Sequence, residues 1–178
     1  MKKLFFASAV GACCFFISCN NKTENHGDSK MSDKATKNVD MHHAVTKAIE
    51  TGDVSKLGDY IATDAVDHAN PKGDVKGLEN IKAELGKVHT MASDMKTEVL
   101  KTMADDDHVF EWVRYTGTTK TTDMGMPVGT KYDMTAMHIV KFKDGKATEH
   151  WEYMQPAEMM KMMGQAPAMD NKMDTLKK

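Results

Sequence analysis

The sequence predicts an α+β domain: a curved antiparallel sheet wrapped by N-terminal helices and enclosing a cone with a pocket. Three observations carry this. Apolar residues recur at helical spacing before residue 90, and after it the chain reads as four strand-length runs. Those runs are separated by turn chemistry, including Asp144-Gly145. Helical segments followed by a run of strands, without strict alternation, make α+β the class to expect over a parallel doubly wound sheet.

The elements follow in order. Residues 39–52 place Met41, Val45, Ala48 and Ile49 on one helical stripe, with Gly52 as C-cap. Asp53 is a candidate cap for a short helix over 54–60. Residues 61–68 read as a strand ending in Asp67-His68, and 70–74 (Asn-Pro-Lys-Gly-Asp) as a turn. Residues 77–89 carry Leu78, Ile81, Leu85 and Val88 on one helical face. The expected strands are 95–103, 108–118, 131–143 and 147–154, and 156–164 could close the domain as a helix.

Composition bounds the function. The chain has 178 residues, enough for one domain plus flanks, and 24 basic against 26 acidic residues give a net charge of −2. There is no basic field to attract nucleic acid. The 3 cysteines all precede residue 20, so the body has neither a disulfide nor a cysteine-based metal site. No phosphate loop, nucleophilic triad or paired zinc-ligand motif is recognisable.

The N-terminus reads as an address. Met1-Lys2-Lys3 precedes an uncharged stretch from Leu4 to Ser18. That stretch is shorter than the ~20 residues of a spanning helix and has the length of a signal-peptide core. Phe16-Ile17-Ser18-Cys19 resembles a bacterial lipobox, which makes Cys19 the expected lipidation site. Val10-Gly11-Ala12-Cys13 is a rival, and ordinary secretory cleavage near Ser18 is the simpler alternative. The expected organisation is a signal peptide over 1–18, a polar tether over 19–38, a domain over 39–156 and a Met-rich tail over 157–178. The expected location is the bacterial cell envelope, on a membrane through the lipid anchor. His26, His42 and His43, in or beside the tether, read as solvated surface.

Several segments carry a family resemblance. They are Ala48-Ile49-Glu50-Thr51-Gly52-Asp53, Ala65-Val66-Asp67-His68, Gly77-Leu78-Glu79-Asn80-Ile81, Gly125-Met126-Pro127, the run from His138 to Lys146, and Glu149-His150-Trp151-Glu152. In this order they resemble the SnoaL-like polyketide cyclase branch of the nuclear transport factor 2-like superfamily. The resemblance implies a cone-shaped fold with an apolar cavity, often dimeric, and in some members a cyclisation by aldol chemistry without metal or organic cofactor. It places an acid–base carboxylate at Glu152, where the cyclases have Asp, and a partner imidazole at His138. His150 is a further candidate donor, and Asp67 and His68 are second-rank candidates at the cavity mouth.

An aldol step needs a base beside a carbonyl and a donor for the developing enolate. Two readings of the same residues stand side by side. In one, Glu152 and His138 are catalytic. In the other, His138 is a hydrogen-bonded core residue, Glu152 is a rim carboxylate, and the domain only binds a small apolar or aromatic molecule. Phe110, Trp112, Tyr132, Met134 and Met154, with Met137 and Tyr153, are the expected lining or core.

The hairpin register decides between them. A two-residue Asp144-Gly145 turn pairs Lys143 with Lys146, and carried along the strands it sets His138 opposite Trp151, with Glu152 on the other face. A three-residue turn with a bulge brings His138, His150 and Glu152 onto one face.

The chain also has 17 methionines, where about four or five would be ordinary. Met159, Met160 and Met163 form a helical stripe suited to covering the cavity or a dimer contact. The alternative is a soft-metal site for Cu(I) in the tail, which includes Met169 and Met173.

Overall fold

The computed structural model describes residues 31–162. The signal peptide, Cys19, His26 and the tail methionines Met163, Met169 and Met173 lie outside the described residues. No helix among the described residues is long and apolar enough to cross a membrane.

The elements are α1 (Asp33–Thr51), α2 (Leu57–Tyr60), β1 (Ile61–Asp67), β2 (Val75–Lys76), α3 (Leu78–Met91), β3 (Ala92–Ala104), β4 (His108–Thr119), β5 (Lys131–Lys143), β6 (Lys146–Met154) and α4 (Pro156–Met162). They form one six-stranded sheet in the order β2-β1-β6-β5-β4-β3. Strands β3 to β6 are antiparallel neighbours, while β1 runs parallel to β6.

Helix α1 begins six residues inside the stretch expected as tether. Ser32 caps it, its side chain accepting from the Ala35 amide at 3.0 Å. Asn38 Nδ2 donates to the Asp106 carbonyl at 2.9 Å, and Lys34 reaches Asp107 at 3.0 Å. The β3–β4 turn thus fixes the polar first turns of α1, which lack the apolar stripe that a sequence reading looks for. Gly52, at φ 75°, ends the helix with its amide donating to the Ile49 carbonyl. Asp53 does not cap α2: it accepts from the amide and hydroxyl of Ser55 instead.

The core has three parts. Leu57, Ile61, Ala65, Leu78 and Ile81 join α2, β1 and α3. Val39, Val109, Val140 and Phe142 join α1 to the central strands. Ala92, Met126, Tyr132 and Met134 close the far end. On β5 the even-numbered residues from Tyr132 to Phe142 are all buried, so that face looks inward and the odd-numbered residues look out.

The β5–β6 hairpin realises both features that the sequence offers as alternatives. The turn is the tight one: Asp144 and Gly145 have φ 51° and 76°, and Lys143 pairs with Lys146. The register then shifts by one, because Phe142 pairs with Ala147 while Lys141 pairs with Glu149. Thr148 is the extra residue of a β-bulge, its hydroxyl donating to the Lys141 carbonyl at 3.2 Å. Beyond it His138 stands opposite Glu152.

Candidate functional site

A cavity of about 960 Å³ lies between the inner face of the sheet and helices α1 and α3. Its walls are mostly apolar and include six methionines: Met41, Met91, Met95, Met124, Met134 and Met154. One cluster of polar lining residues is made of Asp67, His42, Tyr115, His138, His150 and Glu152.

Five elements build that cluster. In register, Glu111 on β4, His138 on β5 and Glu152 on β6 form one inward row across the sheet. His150 faces inward one pair further along, opposite Val140, and parallel pairing sets Asp67 of β1 beside it. Tyr115 projects inward from β4 at the next inward position beyond Val113. His42 comes from α1 and lies tilted over His138, with ring centroids 5.5 Å apart.

The contacts are continuous. Tyr115 Oη bonds His138 Nε2. His138 Nδ1 lies 2.8 Å from His150 Nε2, and His150 Nδ1 lies 2.9 Å from Asp67 Oδ1. Glu152 Oε2 stands 3.9 Å from His138 Nε2. At the β4 end of the inward row Glu111, 1% exposed, accepts from His43 Nε2 at 2.7 Å and from the Thr102 hydroxyl at 2.9 Å.

Burial tunes these groups in opposite directions. Desolvation pushes the Glu152 carboxyl up, with the Asp67 charge adding to it against the opposing pull of His150. It pushes His138 down to about 2 and His42 down to about 3, so both are neutral bases, with the neighbouring histidines adding to the shift. It raises the Tyr115 phenol well above its ordinary value, helped by Glu152 and Glu111. Asp67 goes the other way: burial opposes its charge, but the hydrogen bond from His150 and the Ala69 amide outweigh burial and keep it a carboxylate.

Of the sequence-predicted residues, Glu152, His138, His150 and Asp67 come together, and Tyr132, Met134 and Met154 line the same cavity. His68 does not. It stacks on Trp151, centroids 4.9 Å apart, and its Nδ1 faces Asp74 at 2.9 Å. Phe110 and Trp112 are on the opposite face of β4, because alternation gives the inward positions to Val109, Glu111 and Val113. Trp112 is 46% exposed and joins Met103, Met137, Ile139, Trp151 and Tyr153 in an apolar patch on the outer face.

Three site residues escape the sequence reading. His42 is buried and His43 is bonded to Glu111, so neither is merely solvated surface. Ala35, Val39 and His42 share a buried face of α1, which shows only when the helix begins at Asp33. Tyr115 follows from strict alternation along 109, 111, 113 and 115.

His138, His150 and Glu152 each offer a ligand atom within 4.8 Å of the others, a set a divalent ion could use. The ring arrangement favours a proton. The two imidazole centroids are 5.0 Å apart while their nearest nitrogens are 2.8 Å apart, so the rings meet edge to edge and their nitrogens point at each other. A metal would need one ring to turn.

Among solved structures the chain is similar to a protein of Jannaschia sp. CCS1 described as a SnoaL-like polyketide cyclase. The TM-score is 0.67 at 17% identity, over 78% of this chain and 99% of that one. It is similar to TsrD from Streptomyces laurentii, with a TM-score of 0.64 at 16% identity over 76% and 98%. A SnoaL-like polyketide cyclase of Agrobacterium tumefaciens gives 0.60 at 17% identity over 71% and 98%. These likenesses show the fold. No curated protein matches the chain. The family described as SnoaL-like polyketide cyclase matches residues 39–163, the whole span of the cavity and its polar wall, and the chain belongs to that family.

Proposed function

We propose that this protein binds a small, largely apolar or aromatic carbonyl compound in its cavity and moves a proton at it, with Glu152 and His138 as the acid–base groups. One observation carries the reading. Glu152 is a desolvated carboxyl with a raised pKa, facing a neutral imidazole at 3.9 Å, on the wall of a largely apolar cavity. A carboxyl shifted upward by desolvation holds its proton more readily than an exposed one and can exchange it with a bound ligand. The chemistry is of the cyclase or isomerase kind and needs no organic cofactor.

The test is Glu152→Gln against a panel of β-keto esters and polyketide-like ketones, with affinity followed by calorimetry. Turnover should fall by about a hundredfold or more while affinity is retained. Unchanged turnover would leave the domain as a binding module. Native mass spectrometry of protein purified from its own membrane would name the class of any retained ligand.

Cys19 is proposed as the lipid anchor, holding the domain at a membrane of the cell envelope. Labelled palmitate should be incorporated by the wild type and lost in Cys19→Ser. The apolar outer face of the sheet, centred on Trp112 and Tyr153, is proposed as the contact of a homodimer; Tyr153 is 58% exposed there.

A further inference from the structure

We propose that Tyr115, His138, His150 and Asp67 form one directional proton wire, which takes a proton from the bound ligand at Tyr115 Oη and stores it on His150. This rests on the acid–base reading above and deepens it by separating the two roles: the wire accepts, and Glu152 donates.

The direction follows from the far end. Asp67 is a carboxylate and can only accept, so His150 Nδ1 carries the hydrogen in their 2.9 Å contact. A neutral His150 then has its lone pair on Nε2. The 2.8 Å contact with His138 Nδ1 therefore requires the hydrogen to be on His138 Nδ1. That leaves the lone pair of His138 on Nε2, where the Tyr115 hydroxyl donates. Each link fixes the next, and only one arrangement satisfies all three contacts with two neutral imidazoles.

Such a chain shifts its protons in concert. A ligand group X–H gives its proton to Tyr115 Oη, forming a new O–H bond. The original phenolic proton moves to His138 Nε2, and the Nδ1 proton of His138 moves to His150 Nε2. The ligand is left as an anion and His150 as an imidazolium. The charge comes to rest there because His150 is the ring that touches a carboxylate, whereas His138 is 9% exposed and shut off from solvent. No oxidant or co-reactant is involved.

The position of Tyr115 makes it the contact point. Its oxygen and Glu152 Oε2 flank the same atom, His138 Nε2, and both residues line the cavity. A ligand carbonyl against the Glu152 carboxylic acid would have its neighbouring acidic C–H or O–H against Tyr115. The charged and titratable groups facing the wire are Glu152, Glu111, Tyr132, His42 and His68. On this reading Tyr115 is a catalytic residue, and His138, His150 and Asp67 act through it.

Nitrogen-15 NMR of histidine-labelled protein tests the wire without a ligand. The expected result is Nδ1–H on both His138 and His150, with direct scalar coupling between His138 Nδ1 and His150 Nε2. An Nε2–H tautomer on either ring overturns the proposal. The second readout uses p-nitrophenol, whose ionisation is visible, at a pH where it is neutral in buffer. Saturating wild-type protein should turn it to phenolate, and Tyr115→Phe and Asp67→Asn should each cut the phenolate fraction by about tenfold. The tautomers are read on the wild-type protein without ligand or turnover, which separates failure of the wire from failure of the Glu152 assignment. Nitrophenol that stays neutral with the wild type, or phenolate that survives Asp67→Asn and Tyr115→Phe, overturns it.

Discussion

Replacing Glu111 by alanine should be among the most damaging single changes in this domain. Glu111 is 1% exposed and is held by His43 at 2.7 Å, by Thr102 at 2.9 Å and by His42 at 3.5 Å. It ties α1 to β4 directly behind His138. Alanine removes three acceptor contacts at once and leaves the His42 and Thr102 polar atoms without their partner. Leaving buried donors without an acceptor costs about 1–3 kcal/mol each, and with the void the loss comes to about 3–5 kcal/mol. His43 is 45% exposed on its side chain and can turn to water, so the lower half of that range applies. At roughly 3–5 °C per kcal/mol for a domain of this size, the melting temperature should fall by about 10–15 °C. Glu111→Gln keeps the shape and one acceptor and should cost about 1 kcal/mol. Thermal unfolding followed by circular dichroism reads both. A Glu111→Ala protein that melts within 3 °C of wild type would refute the idea that this carboxylate anchors the helix.

Three further predictions follow from the same coordinates. His42 and His138 have pKa values lowered to about 3 and about 2 in the fold, against about 6.5 when unfolded. Between those limits the unfolded chain binds more protons, so stability should fall as pH drops below about 6.5, by up to ~1.4 kcal/mol per pH unit for each ring. Urea titrations at pH 7 and 5 should show this, and His138→Gln should flatten the slope. Gly117→Ala should destabilise by about 1–3 kcal/mol and narrow the cavity, because the new methyl would sit 2.6 Å from Tyr132 Cζ; melting and ligand titration read the two effects. Trp112→Glu should convert a dimer to monomer in sedimentation velocity while leaving the cavity intact, since Trp112 faces away from it.

Most of the architecture was legible because it rests on periodicity. Strand β5 runs from Lys131 to Lys143, the span its alternation predicts, and α3 and β4 deviate by only a residue or two. The start of α1 was not legible, because Ser32, Lys34 and Asn38 take their partners from a turn some seventy residues away. The same blindness hid His42 and His43. The family resemblance pointed to Glu152 and His138, but their facing each other depends on a bulge at Thr148, and nothing local in Ala147-Thr148-Glu149 announces one. Phe110 and Trp112 were misplaced by weighing aromatic character over alternation, where Glu111 between them is the polar residue that turned inward.

The single surplus residue at Thr148 makes the chemistry of the last strand a matter of parity. Excising Thr148 would straighten the ribbon and still leave Glu152 across from His138, because Ala147 and Glu149 already meet adjacent partners. Adding one residue between Glu149 and His150 would instead invert everything downstream. Trp151 and Tyr153 would enter the cavity, and His150 and Glu152 would be cast out onto the apolar outer face. One residue lost at Thr148 and one gained before His150 therefore have opposite fates, which gives protein engineers a one-codon means of emptying the pocket of its imidazole and carboxyl groups on this strand while the strand itself persists.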